Sequence, residues 1–317
     1  MASLLSDDQV LQSLLAQNHP QRSGYRAFYS SWLGGITTKP HLMVVPMDDH
    51  LVHRGDGVFE AIKFIEGRVY LYEAHIQRLL KSAQSIGMQH SYTSEGIWSV
   101  IQDCVKASGL SSGLLRLFLS RGPGGFTTNP YESLGAQLYV VVQDLVAPAD
   151  DKYLRGVEVG FSAIPAKESW FAQIKSCNYL VNVLMKKEAV DCQKDFMIGF
   201  DSQGFVTESS TENIMILDSK NTLVYPRLEQ ILKGTTMVRA AELALTHGVV
   251  SQVESRDISR AELLDAQEVM MVGTTLDVLP VTKIESKTWA GAGPISQKLL
   301  HLLREDQKVG SVAKKLS

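Results

Sequence analysis

Long apolar runs, metal-ligand spacings and paired cysteines are all missing from this chain of 317 residues. No window reaches the ~18 consecutive apolar residues that a spanning helix requires, which excludes a bilayer-crossing helix. The eight histidines include no HxxxH or comparable spacing, so no metal site is expected. Three cysteines, Cys104, Cys177 and Cys192, form a sparse and odd set. That pattern argues for reduced thiols rather than a disulfide framework. A net charge of −3 offers no basic face for nucleic acid or an anionic membrane. The stretch MASLLSDDQVLQSLLAQNH carries Asp7 and Asp8 and lacks the basic-then-apolar layout of a secretion signal, so the cytoplasm is the expected location. Internal repeats and low-complexity tracts are absent too. What remains, 44% hydrophobic and 21% charged residues, is the composition of a globular protein with room for two cores.

Residues 1–24 read as a helical extension with Val10, Leu11, Leu14 and Leu15 on one face, ended by a polar turn. A first domain is expected over 25–146. It opens with HLMVVPM as a strand and continues through GVFEAIKFIEGRVYLY, where Glu66-Gly67 marks a hairpin. Ile76, Leu79, Leu80 and Ala83 predict one helix; Ile97, Trp98, Ile101 and Val105, preceded by Thr93 or Ser94 as cap, predict a second. LLRLFLS and AQLYVVVQ are strands joined by the glycine-rich RGPGGFTTNP. The prolines and charges near VAPADDKYLRG place a linker at 147–153, and a second domain at 154–317. There GVEVGFSAI is a strand, and DFMIGFDSQGFVTESS and NIMILDSKNTLVYP are hairpins. A helix is expected from about Thr236 to the cap at Gly248, then two strands in EVMMVGTTLDVLPVTKI, and a last helix opened by Pro294. Meanders mixed with helices predict an α+β fold of two domains.

Lys175 stands in AQIKSCNYLVNVL with no acidic residue following it before Glu188. Such a lysine either lays its stem on apolar surface with the ammonium in water or is held in a dry site for chemistry. The start of the helix in KGTT, with Thr235 and Thr236, offers N–H groups, hydroxyls and the positive end of a dipole, which suits an anion as well as an ordinary cap. Thr274 and Thr275, after Gly273, form a second such cluster between strands. Glu208 shares a predicted strand face with Val206, which means either solvent exposure or a cationic partner. Arg78 projects from a helix beside Ile76 and Leu79, with the same two readings. An amine, a carboxylate and an anion cradle are together the parts that hold pyridoxal 5′-phosphate.

The ordered blocks GDGVFEAI, HIQRLLKSA, IKSCNYLVNVLMKKEA, DSQGFVTESSTENIMI, ILKGTT and VGTTLDVLPV resemble the class IV (fold type IV) pyridoxal-phosphate aminotransferases, over about Asp48 to Ile284. The resemblance is greatest to D-amino acid aminotransferase-like members. It implies a small N-terminal α/β domain and a larger C-terminal β-rich pseudo-barrel domain. It also implies that Lys175 is the Schiff-base lysine, that Glu208 faces the pyridine nitrogen and that Arg78, Thr235, Thr236, Thr274 and Thr275 hold the phosphate. Tyr179 is implied at the cofactor's 3-oxygen.

The implied reaction is transamination between an amino acid, D-alanine or D-glutamate favoured, and a 2-oxo acid, through an internal aldimine at Lys175. Arg116 and Arg121, beside Phe59, are the implied substrate-binding residues, since an arginine fork meets a carboxylate with two bonds. Phe59 replaces the tyrosine of bacterial D-amino acid aminotransferases, and PGGFTTNP replaces a segment typical of the lyases. The spacing KSCN fits D-amino acid enzymes and lyases, whereas Tyr179 after Asn178 follows the branched-chain pattern. Aminodeoxychorismate lyase, branched-chain aminotransferase and a non-catalytic cofactor-binding protein therefore stay open as alternatives. A homodimer is implied, with no nucleic acid or membrane partner.

Overall fold

The computed structural model describes residues 2–17, 19–167 and 169–316. The chain divides into two units: 1–145 with 176–178 and 315–317, and 146–175 with 179–314.

In the first unit, α1 (Asp7–Ala16) begins with a capping box, Ser6 exchanging hydrogen bonds with Gln9. None of its residues is buried. β1 (Tyr25–Ser30) and β2 (Gly35–Thr37) follow, then α2 (His50–Arg54), β3 (Gly57–Ile65) and β4 (Arg68–Tyr70). The segment HLMVVPM, expected as a strand, is a 3-10 turn at Pro40–Leu42 followed by irregular chain. Pro40 and Pro46, which cannot donate to a ladder, bracket it. The opening strand is instead β1, whose Ala27, Phe28 and Ser30 are buried.

The β3–β4 turn puts both Glu66 (φ 49°) and Gly67 (φ 71°) in the left-handed region, as a two-residue hairpin turn requires. α3 (Tyr72–Ser85) packs on β3, and α4 (Ser94–Ser108) packs on β1 and on β6 (Gln137–Gln143). Thr93 caps α4 by accepting from the Gly96 N–H at 3.1 Å. β5 (Gly113–Ser120) lies between β3 and β6, all antiparallel, in the order β4-β3-β5-β6-β1-β2. Pairing of Glu60 with Leu117 and of Ile62 with Leu115 sets one face of this sheet. Phe59 with Phe118 and Ala61 with Arg116 set the other, because successive side chains alternate.

In the second unit come α5 (Asp150–Arg155), β7 (Val157–Phe161), α6 (Ser169–Ala172), α7 (Leu180–Asp191) and β8 (Phe196–Ile198). β9 (Asn213–Leu217), β10 (Leu223–Tyr225), α8 (Thr235–Thr246), β11 (Val253–Ser255) and α9 (Arg260–Asp265) follow. The unit closes with β12 (Glu268–Gly273), β13 (Asp277–Ile284), β14 (Lys287–Thr288) and α10 (Pro294–Val309). The sheet runs β11-β10-β9-β12-β13-β7-β8, with β14 on β13. β9 is buried throughout, as are the first five residues of both β12 and β13, which fits a sheet covered on both faces there. α8 and α10 pack together, α8 on β12 and α10 on β13. The predicted hairpin around Gly204 is present in irregular form: Gly199 exchanges hydrogen bonds with Thr207 and Glu208, Phe200 bridges Val206, and the Asp201 N–H donates to Phe205 O at 2.9 Å across the turn. These elements make an α+β fold.

Candidate active site

Glu208 is the centre of the polar cluster in the second unit. Its backbone is pinned by Gly199, whose N–H donates to Glu208 O at 3.0 Å while Gly199 O accepts from Thr207 N–H at 2.9 Å. Its Oε2 accepts from the Leu232 N–H at 3.1 Å, with Asn213 Nδ2 at 3.5 Å. The same Asn213 amide donates to Leu232 O at 2.9 Å. One amide on β9 therefore ties the acid to the loop that feeds α8.

That loop ends at Gly234, the N-cap of α8, which supplies no side-chain cap. A Cβ at Gly234 would stand 1.8 Å from Asn213 Oδ1, so the backbone approaches Asn213 as only glycine allows. Thr235 and Thr236 are the first two residues of α8, and Thr236 is buried. On the other side of Asn213 lies β12: Asn213 pairs with Val272, and Gly273 precedes the turn holding Thr274 and Thr275. Glu208 and both threonine pairs thus gather at one end of β9 and β12. Asn213 joins them: it bonds Glu208 and Leu232 in the loop before α8 and pairs with Val272, two positions before Thr274, and reading the sequence did not single it out. Its signal was an amide at the head of the apolar run NIMIL.

Lys175 is half-buried in the irregular stretch between α6 and α7, flanked by the buried Ile174. Tyr179 is the N-cap residue of α7. The Nζ of Lys167, also missed from sequence, stands 4.8 Å above the Tyr179 ring. Burial lowers the pKa of this ammonium, and the charge of Glu208 opposes the shift.

The first unit holds Arg78 in place. Its Nε and Nη2 donate to Glu60 Oε1 and Oε2, each at 2.7 Å, a two-bond fork. His75 Nδ1 lies 2.7 Å from Glu60 Oε2. Burial alone would raise the Glu60 carboxyl, but the Arg78 and His75 charges and their hydrogen bonds outweigh it and hold the group down at about 2. Of the predicted substrate residues, Phe59 stacks on Phe118 with centroids 6.0 Å apart. Arg116 Nε donates to Gln143 Oε1 at 3.1 Å. Arg121 is heavily engaged: its fork meets Asp56, and it donates to Ile86 O at 2.9 Å and Gly87 O at 3.4 Å. Phe59 and Arg116 share a sheet face, while Glu60 points to the other.

A crevice of about 550 Å³ lies elsewhere in the second unit, among Val250, Val281, Trp289 and Glu268. Its carboxylate is already taken by the Ile295 and Ser296 N–H groups at the start of α10, each at 2.9 Å. None of the predicted site residues lines it.

A family profile described as amino-transferase class IV matches residues 57–284. The chain belongs to the class IV aminotransferases. It is 35% identical over 295 residues to the chloroplastic D-amino-acid transaminase of Arabidopsis thaliana, covering 90% of this chain and 78% of that protein. To the D-alanine aminotransferase of Bacillus licheniformis it is 29% identical over 252 residues, covering 79% and 86%. Among solved structures, the T.th. branched-chain amino acid aminotransferase with pyridoxamine 5′-phosphate superposes at a TM-score of 0.86 with 22% identity, covering 92% of this chain and 99% of that one.

Class IV aminotransferases use pyridoxal 5′-phosphate, and this chain's donor set fits that group. A helix start bare of a side-chain cap and two hydroxyl pairs suit a phosphate. A carboxylate held by Asn213 and the Leu232 N–H suits a protonated ring nitrogen. No helix among the described residues is long and apolar enough to cross a membrane. No cluster among them of three or more His, Cys, Asp or Glu residues is arranged to hold a metal.

Proposed function

We propose that this class IV aminotransferase exchanges the amino group of a D-amino acid, D-alanine or D-glutamate favoured, with a 2-oxo acid, in the cytoplasm and as a homodimer. When bound, the cofactor supplies an aldehyde for the amino group and a ring that draws electrons from the Cα–H bond. Lys175 Nζ would hold the cofactor's aldehyde carbon and, when free of it, would carry the substrate's Cα proton. That task needs a neutral amine.

Glu208 keeps the ring nitrogen protonated, and the Leu232 N–H and Asn213 bonds keep its carboxylate aimed. Thr235, Thr236, Thr274, Thr275 and Arg78 take the phosphate, with Arg78 pre-set by Glu60. Tyr179 serves the 3-oxygen. For the substrate carboxylate we assign Arg116 ahead of Arg121, because Arg121 already serves Asp56 and two carbonyls. Phe59 supplies an apolar wall on the Arg116 face.

The observation that carries the reading is the gathering of Glu208 and both threonine pairs around Asn213. The D-donor preference is supported by the similarity to the plant D-amino-acid transaminase. Lys175→Ala is expected to abolish transamination and the yellow absorbance that borohydride fixes; a variant retaining both refutes the assignment. A screen of both enantiomers of each amino acid with 2-oxoglutarate, followed in the cofactor's spectrum, tests the donor. Release of pyruvate and 4-aminobenzoate from aminodeoxychorismate, with D-alanine inert, would make it a lyase. Sedimentation of the purified protein checks the dimer.

A further inference from the structure

A crevice of about 20 Å³ lies within the second unit, walled by Lys167, Asn182, Thr207, Glu208, Ser209 and Gln230. That volume suits a single water, which needs roughly 10–15 Å³ on the same measure. Three buried polar atoms belonging to these walls have no hydrogen-bond partner: Asn182 Oδ1, Thr207 Oγ1 and Ser209 Oγ. Thr207 and Ser209 are only 1% and 2% exposed. The sense of the Asn182 amide is set by its Nδ2, which donates to Ser210 O at 2.6 Å, so an acceptor is left over. The Ser209 hydroxyl also lies toward Glu212, whose carboxyl it helps to hold down against burial, without reaching hydrogen-bond geometry.

A buried hydroxyl or amide oxygen without a partner bears its whole desolvation cost. Three such atoms around one hole point to a small hydrogen-bonding occupant. The charged walls narrow its chemistry: Lys167 disfavours a cation, Glu208 disfavours an anion, and a neutral molecule with two donors and two acceptors meets both.

We propose that this crevice is a binding site for one ordered water, which accepts from the Thr207 hydroxyl and donates to Asn182 Oδ1. Thr207 and Glu208 are consecutive, so the water fixes the backbone that presents the Glu208 carboxylate. Thr207 is thereby a positioning residue for Glu208, a role that rests on the proposed function.

Thr207→Val and Thr207→Ser separate the possibilities. If the water is there, the valine variant strands it and melts below the wild type, while the serine variant tracks the wild type. A Thr207→Val protein at least as stable as the wild type overturns the site, since replacing an unpaired hydroxyl by a methyl is neutral or favourable. A high-resolution crystal structure is expected to show a single water on Thr207 and Asn182. Density that refines as a monovalent cation, or an empty site, overturns it. Spectroscopic titration of the cofactor-free protein with pyridoxal 5′-phosphate is expected to show a several-fold higher dissociation constant for Thr207→Val and rescue by Thr207→Ser. Equal constants overturn the positioning role. A wild type that binds no cofactor at all, with the stability difference intact, refutes the proposed function and leaves the water site standing.

Discussion

Glu60 is a buried carboxylate held between two cationic side chains. Fully buried, it is shared by the Arg78 fork and His75. Its carboxyl is held at about 2, below the ordinary value near 4.3 for a glutamate in an unfolded chain. A depressed folded value means the stabilisation is complete above the unfolded value and is lost as pH falls through the folded one. Acid denaturation monitored by circular dichroism should therefore show a loss of stability between about pH 4 and pH 2 that Glu60→Gln lacks. At neutral pH the same substitution leaves Arg78 and His75 without their carboxylate, and a cost of about 3 kcal/mol in urea unfolding is expected.

Gly234 is the second sensitive residue. Alanine there drives a Cβ into Asn213 Oδ1. Since Asn213 also holds Glu208 and Leu232, Gly234→Ala should weaken cofactor retention measured by dialysis and absorbance, well before it unfolds the protein.

At the scale of elements, local signals and outcomes agree where the period is strong. α3 and α4 bury Ile76, Leu79 and Ala83, and Ile97, Ile101 and Val105, as the three-to-four spacing expects, while Leu80 and Trp98 of the same expected faces are only half-buried. Thr93 caps α4 as its position before the run implies; Thr93→Ala should cost about 1 kcal/mol in thermal or urea unfolding. The β3–β4 turn and the β12–β13 pair were equally legible from Glu66-Gly67 and from Gly273.

HLMVVPM misled because an apolar run alone does not make a strand. Its Leu42, Met43 and Val44 N–H groups are used within the turn that Pro40 opens, and β1 occupies the place beside β6 that it would have needed. The sequence around Glu208 reads as a strand with Phe205 and Thr207 on one face and Val206 and Glu208 on the other. In the fold both Val206 and Thr207 are buried, and only short stretches pair, with Gly199 and Phe200.

At the scale of the whole molecule, two units of different make-up share one chain. The first is an antiparallel sheet packed by α3 and α4, with β5 beside β3 and β1 beside β6. The second is a larger mixed sheet, where β10 pairs in parallel with β11, and β7 with both β13 and β8. Residues 176–178 belong to the first unit although Lys175 and Tyr179 belong to the second. Lys175 thus sits where the chain passes from one to the other, which no local pattern announces. α1 buries none of its residues. Deleting residues 2–17 should accordingly leave the melting temperature within the error of a calorimetric scan, and a large drop would show that this helix is covered in the assembled protein.

The sequence by itself determined the kinds of element, their order, the class of protein and the residues that bear charge or amine chemistry. Those follow from periodicity, turn residues and an ordered set of motifs, all of which act over a few positions of chain. Only the tertiary structure decided which of those residues are already spoken for. Arg121 is bound to Asp56, Arg78 is fixed by Glu60 and His75, and Asn213 gathers Glu208 with the start of α8. Such partnerships join positions far apart in the chain, and their strength comes from burial and a close approach of dipoles and charges, quantities that exist only once the chain has folded.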